Sequence, residues 1–103
     1  MKQLPPAAFA LALLATPPAF GGDRELGEYL ASECVTCHQL SGQVVGGVPA
    51  IVGWPEDAFI AVMGSYARKE RDNQVMQTVA AKFSADELAA LAAFFGSLPM
   101  PTR

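Results

Sequence analysis

Five consecutive residues, Cys34-Val35-Thr36-Cys37-His38, form the most chemically specific pattern in the chain. Two thiols three positions apart lie about one helical turn from each other, so both can add to vinyl groups on one edge of a porphyrin. The imidazole that follows directly then lies under the iron and binds it through Nε2. Cys-x-x-Cys-His is accordingly the signature of covalent c-type haem attachment. Competing chemistries explain less of the stretch. A disulfide between Cys34 and Cys37 leaves His38 without a role. A thioredoxin-type dithiol requires a strand before it and a helix after it in a βαβ setting, and no strand pattern is present. Zinc needs four ligands, and with two Cys and one His in the whole sequence, Cys34, Cys37 and His38 exhaust the thiols and imidazoles.

Because His38 is the sole His, a second axial ligand must be of another type. Methionine suits best, since a thioether favours Fe(II) and raises the potential of a His-ligated haem. Beyond Met1 the choices are Met63, Met76 and Met100. Met100 stands between Pro99 and Pro101, a poor place to hold a ligand, and Met63 shares a helical face with Phe59 and Tyr66, which reads as packing. Met76 follows a charged break and opens a segment able to cover the free haem face. A core position beside Val75, Val79 and Phe83 is the alternative role for Met76, and the commoner one for Met at helical spacing.

Local elements must place these groups. Residues 23–33 carry Leu26, Tyr29 and Leu30 at helical spacing and lead straight into Cys34. Residues 41–53 (SGQVVGGVPAIVG) read as a loop with turns. Pro55 suits the first position of a second helix, with Glu56 and Asp57 complementing its N-terminal dipole. Phe59, Val62, Met63 and Tyr66 form its apolar face. A charged break at 67–72 (ARKERD) precedes a third helix over about 73–82, with Val75, Met76, Val79 and Phe83 on one side. Ser84 and Glu87 form a capping box that opens a last helix. That helix turns Leu88, Leu91, Ala92 and Phe95 inward and ends at Gly96 and Pro99. The expected fold is all-α with one long Gly-rich loop.

Composition narrows the function classes. The chain has 103 residues, 7 basic and 10 acidic, for a net charge of −3, which argues against a nucleic-acid binder. Residues 7–15 (AAFALALLA) are an unbroken apolar run after Lys2, flanked by Pro5-Pro6 and Pro17-Pro18. Such a run is too short to span a bilayer, which takes roughly 20 residues, but it suits a secretory signal. Small residues at Ala19 and Gly21 offer a cleavage site, so 1–21 is expected to be a signal peptide and 22–103 one exported domain without stable membrane insertion. A domain of that size is marginal on its own and needs a cross-link, a metal or a disulfide, which a covalent haem supplies.

An N-terminal helix running into CVTCH, a Gly/Pro loop and helices carrying a distal Met resemble the class I cytochromes c, over essentially all of 22–103. More narrowly, GVPAIVG at 47–53, RDNQVM at 71–76 and FSADELAALAAFF at 83–95 are similar to the cytochrome subunit of flavocytochrome c sulfide dehydrogenase. Related small soluble periplasmic cytochromes share parts of this pattern. The resemblance implies the class I cytochrome c fold, with helices wrapped around one covalent haem c. It makes Met76 the distal ligand and Pro49 the residue whose carbonyl holds the Nδ1–H of His38. It makes Arg71 the partner of a haem propionate, where the alternative is a solvated charge within ARKERD. Trp54 either walls the haem or fills the core. Some members of the subunit family carry two haem domains, whereas one Cys-x-x-Cys-His here matches the single-haem form.

A haem with both axial positions filled by His38 and Met76 has no free site for substrate. The expected activity is outer-sphere electron transfer in the periplasm, with catalysis left to a partner. One reading makes the chain a subunit that takes electrons singly from a flavoprotein oxidising sulfide. Another makes it a free carrier between larger redox complexes. Val35 and Thr36 are expected beside the exposed haem edge, with residues 42–48 as part of its rim. Val44, Val45 and Val48 suit apolar docking, whereas a free carrier relies more on a charged ring, and charge is scarce between Ser41 and Trp54. A third reading is a gas-binding sensor with a labile Met76.

Overall fold

Asp23 opens the first helix by local chemistry. Its carboxylate accepts hydrogen bonds from the backbone N–H groups of Glu25 (3.0 Å) and Leu26 (3.1 Å), two donors that have no partner inside the helix. The computed structural model describes residues 22–101, and the signal peptide expected over 1–21 lies outside them. Helix α1 covers Arg24–Leu30 and tightens into a single 3₁₀ turn at Ala31–Glu33 that delivers the chain to Cys34. Helix α2 covers Glu56–Ala67, α3 Gln74–Ala80 and α4 Ala85–Gly96. Among the described residues the only extended pairing is an isolated antiparallel bridge between Val45 and Val48. The domain is therefore all-α, as the residue pattern predicts. Pro55 stands one position earlier than predicted, as the N-cap of α2, because its ψ of 140° is extended although its φ of −55° is helical.

Helix α4 is the centre of the core. Leu88, Leu91, Ala92 and Phe95 are buried on it as expected, and so are Ala90, Ala93 and Phe94. The capping box is formed: Ser84 Oγ accepts from Glu87 N–H (3.1 Å), and the Glu87 carboxylate accepts from Ser84 N–H (2.9 Å). Helix α1 packs across α4, and α2 packs against both α3 and α4. The α1–α4 crossing depends on Gly27, where any side chain would run into the Ala90 carbonyl. Aromatic contacts join α2 to α4. Phe59 stacks on Phe95 at 5.8 Å, Phe94 meets Phe95 edge-on at 5.2 Å, and Trp54 meets Phe59 edge-on at 6.3 Å.

The charged break between α2 and α3 has a defined geometry. Lys69 N–H donates to the Tyr66 carbonyl (2.9 Å) and Glu70 N–H to the Ser65 carbonyl (2.8 Å), the paired bonds of a Schellman motif. This motif turns the chain towards α3, where the Asn73 side chain accepts from Met76 N–H (3.0 Å) and so caps the helix. The predicted one-sided apolar face of α3 is found, and it faces a cavity: Val75, Met76 and Val79 all line it, Met76 and Val79 half-buried and Val75 67% exposed.

Lys69 holds the left-handed position of the Schellman motif, with φ of 63°, where glycine is the unstrained residue. Lys69→Gly should therefore stabilise the protein by about 1 kcal/mol. Urea denaturation checks this, and an unchanged or lowered midpoint would show that the turn carries no such strain.

Candidate functional site

The turn that follows the 3₁₀ segment is tight. Cys37 N–H (3.1 Å) and His38 N–H (2.8 Å) both donate to the Cys34 carbonyl, so the two thiols and the imidazole project from one helical turn. They face a cavity of about 610 Å³, and Cys34, Cys37, His38, Pro49, Arg71 and Met76 all line it. That volume lies within the range of pockets that enclose a cofactor-sized ligand. The walls are mostly apolar, with Ile51, Trp54, Phe59, Val62, Met63 and Val79 among them. Trp54 does both things the sequence leaves open for it, lining the cavity and packing edge-on against Phe59.

His38 is buried, and its Nδ1 lies 2.7 Å from the Pro49 carbonyl oxygen. A carbonyl only accepts, so Nδ1 carries the proton and donates it, and Nε2 keeps its lone pair for a ligand bond. The loop from 41 to 53 brings Pro49 over the imidazole, while the hairpin turn at its tip adds Gly46, Gly47 and Val48 to the cavity wall. Both glycines have positive φ (62° and 79°), as a two-residue turn of this type requires. Val44 and Val45 are exposed beside the wall. Val35 and Thr36 are not among the lining residues. Val35 packs against the core, and Thr36 points to solvent with its hydroxyl donating to the Glu33 carbonyl (3.2 Å).

The two thiols differ. Cys34 is buried and Cys37 exposed. Burial, with the nearby Glu33 carboxylate adding to it, pushes the Cys34 thiol up to about 11. Glu33 itself lines the cavity and pairs with Lys82 at 2.6 Å, tying the 3₁₀ turn to the residues just beyond α3. That tie, and the Asn73 cap behind Met76, depend on partners 49 and 3 positions apart. Only the second leaves a local sequence signal, an Asn before a helix.

Arg71 is exposed at the cavity wall, its guanidinium carbon 5.5 Å from the centre of the Tyr66 ring. It forms no ion pair among the described residues, since the neighbouring Glu70 is held by Arg68 at 3.0 Å. Met100, the methionine least suited to ligation from its prolines, is 61% exposed and lines no part of the cavity. Met63 is buried and does line it, so its packing role is at the cavity wall as well as in the core.

Structural comparison places this arrangement among known folds. The structure of cytochrome c4 from Acidithiobacillus ferrooxidans superposes with a TM-score of 0.69 at 20% identity, over 77% of this chain and 51% of that one. A thiosulfate dehydrogenase structure from Marichromatium purpuratum gives 0.69 at 30% identity, over 90% of this chain and 23% of that one. The chain has the class I cytochrome c fold. In sequence it is similar to a thiosulfate dehydrogenase electron acceptor from Thiomonas intermedia, 32% identical over an 81-residue alignment that takes in 70% of this chain. The chain spans 37% of the length of that curated relative. No protein-family model matches the chain.

Within the class I cytochrome c fold the donor set fits a covalently held haem. Two thiols stand on one wall, an imidazole with a free Nε2 is fixed by its other nitrogen, the Met76 and Met63 side chains share the cavity, and apolar side chains line the remainder. A guanidinium without a carboxylate partner completes the set. No helix among the described residues is long and apolar enough to cross a membrane.

The asymmetry of the thiols has a measurable consequence. With both thiols free, iodoacetamide at pH 8 should modify Cys37 about tenfold or more faster than Cys34, since only thiolates react and Cys34 is held as the thiol. Raising the pH towards 11 should narrow the gap. Peptide mass spectrometry reads both rates, and equal rates at pH 8 would show that the Cys34 wall stands open.

Proposed function

We propose that the chain is a single-haem electron-transfer protein that accepts electrons from an enzyme oxidising a reduced inorganic sulfur compound. The observation that carries this reading is the bond from Nδ1 of His38, the last residue of CVTCH, to the Pro49 carbonyl of the 41–53 loop, in a cavity that Met76 also lines. Haem c, when bound, supplies a one-electron Fe(III)/Fe(II) couple.

The chain's own residues do the rest. Cys34 and Cys37 anchor the group as thioethers, so retention does not depend on the small amount of protein around it. His38 would bind it through Nε2, with the Pro49 carbonyl fixing the ring's tautomer and orientation. Met76 would supply the second ligand from the start of α3, where its backbone N–H is held by the Asn73 cap. Phe59, Val62, Met63 and Val79 exclude water, which limits solvent reorganisation when the charge changes. Arg71 offers a fork suited to a carboxylate. With His38 and Met76 both bound to the group, no site would be left for substrate, and the sulfur chemistry would belong to the partner.

The partner meets an apolar rim of Val44, Val45 and Val75, all more than half exposed. The similarity to a thiosulfate dehydrogenase electron acceptor supports thiosulfate as the compound oxidised by the donor enzyme. The resemblance of GVPAIVG, RDNQVM and the α4 segment to flavocytochrome c supports a flavoprotein oxidising sulfide as the second reading. The site of action is the periplasm, with residues 1–21 as the export leader, supported by the apolar run at 7–15.

Absorption spectra of the protein purified gently from cells, oxidised and reduced, are the direct test. A low-spin c-type spectrum supports the reading, a stoichiometric flavin with it selects the flavoprotein partner, and absence of haem overturns it. Met76→Ala should open an axial position and lower the potential by ~0.1 V or more, within the ~0.8 V range that axial ligands command. It should also abolish reduction by the donor enzyme with thiosulfate. Unimpaired function in Met76→Ala would instead support a gas-binding sensor.

A further inference from the structure

The carboxyl-terminal residues beyond α4 make contacts that the proposed electron-transfer role does not use. The helix ends with Ser97 firmly held. Its hydroxyl donates to the Phe94 carbonyl (2.7 Å) and accepts from Arg24 Nε (3.0 Å). Leu98 then packs half-buried against the core and donates its N–H to the Phe95 carbonyl (3.2 Å). From this fixed base, Pro99-Met100-Pro101 runs over the back of the 42–53 loop. Each proline locks its own φ and restricts the residue before it, Leu98 and Met100, so the segment loses little entropy on docking.

Both ends of the loop lie under this segment. At Gly53 a side chain would meet the Met100 backbone, N at 3.0 Å and Cα at 3.1 Å, and its Cγ more closely still. At Gly42, buried although in a loop, it would meet the Pro101 ring at 2.7 to 3.1 Å. Gly53 N–H also donates to the Phe95 carbonyl (2.9 Å), and Gly42 N–H to the Gln39 carbonyl (3.0 Å). The tip is different, since nothing lies within 4 Å of the positions where Gly46 or Gly47 would carry a Cβ. Pro49, whose carbonyl receives the His38 Nδ1–H at 2.7 Å, sits between the free tip and the clamped end.

We infer that residues 98–101 are a positioning strap: by clamping Gly42 and Gly53 they hold the Pro49 carbonyl against His38, and so tune the reduction potential of the bound group. The inference rests on His38 being the axial ligand proposed above. A firm Nδ1–H···O bond makes the imidazole a stronger donor and stabilises the oxidised metal. Loosening the strap lets the carbonyl drift, weakens that bond and shifts the balance towards the reduced form. A segment that merely filled space would affect global stability and leave the imidazole unchanged.

The test uses the haem-loaded full-length protein and two variants. One ends after Leu98. The other, Met100→Gly with Pro101→Gly, keeps the chain length and the Leu98 anchor, so it decides the question if the shorter chain does not fold. Equilibrium redox titration and NMR exchange of the His38 Nδ1–H are the readouts. The strap predicts a higher potential in both variants. It also predicts His38 Nδ1–H exchange faster by about tenfold, the loss of roughly one net hydrogen bond of protection. A folded, haem-loaded double variant with the parent's potential and exchange rate overturns the strap. A parent protein without haem, or one whose spectrum survives His38→Ala unchanged, overturns the proposed function instead.

Discussion

The hydrogen bond from His38 Nδ1 to the Pro49 carbonyl, at 2.7 Å, joins the turn that carries both cysteines to a loop with almost no regular pairing of its own. The 41–53 segment has one isolated bridge at its tip and no ladder, so nothing within it dictates where it lies. Its carbonyl acceptor fixes one tautomer of the imidazole and leaves the other nitrogen for a ligand. In the same contact the loop becomes a cavity wall. Ligand orientation and loop position are thus one constraint, and the strap and the bonds from Gly42 and Gly53 act on it from behind.

The domain is built in two unequal parts around that contact. On one side α1 crosses α4 closely, through Gly27 against Ala90, and the Phe59–Phe95–Phe94 group supplies dense packing. On the other, the short α3 packs on α2 with its Ala80 buried and turns its remaining apolar face to a cavity. Its place depends on polar devices: the Schellman turn at Lys69, the Asn73 cap and the Lys82–Glu33 pair. A covalently attached planar group would complete the missing half of the core. This follows the general rule that domains of this size require a cross-link or cofactor to reach useful stability.

The exposed valines follow from the same layout. Val75 lines the cavity and Val45 is bridged to the lining residue Val48, with Val44 beside it in the chain, so apolar side chains that would elsewhere be buried are left exposed at a rim. A partner that covered this rim would gain apolar burial beside the cavity. Arg71, held over Tyr66 and free of a carboxylate, is the one cation placed at the wall of that cavity among the described residues.

Local chemistry was legible from residue order. The spacing in CVTCH, the Ser84/Glu87 capping box, the Gly/Pro loop and the apolar positions of α4 each depend on partners within a few residues, and all are found as predicted. The place of Met76 at the cavity was suggested by its position after the charged break, with core packing as the alternative, whereas Pro49 and Arg71 were legible only through resemblance. Helical periodicity placed Val75 on one face with Met76 and Val79, without saying that a cavity stands opposite it. The docking of residues 98–101 on Gly42 and Gly53, and the Lys82–Glu33 tie, left no signal at all. Those contacts join segments separated by tens of residues, and which of them meet is decided only when α1, α2 and α4 pack and leave the cavity between them.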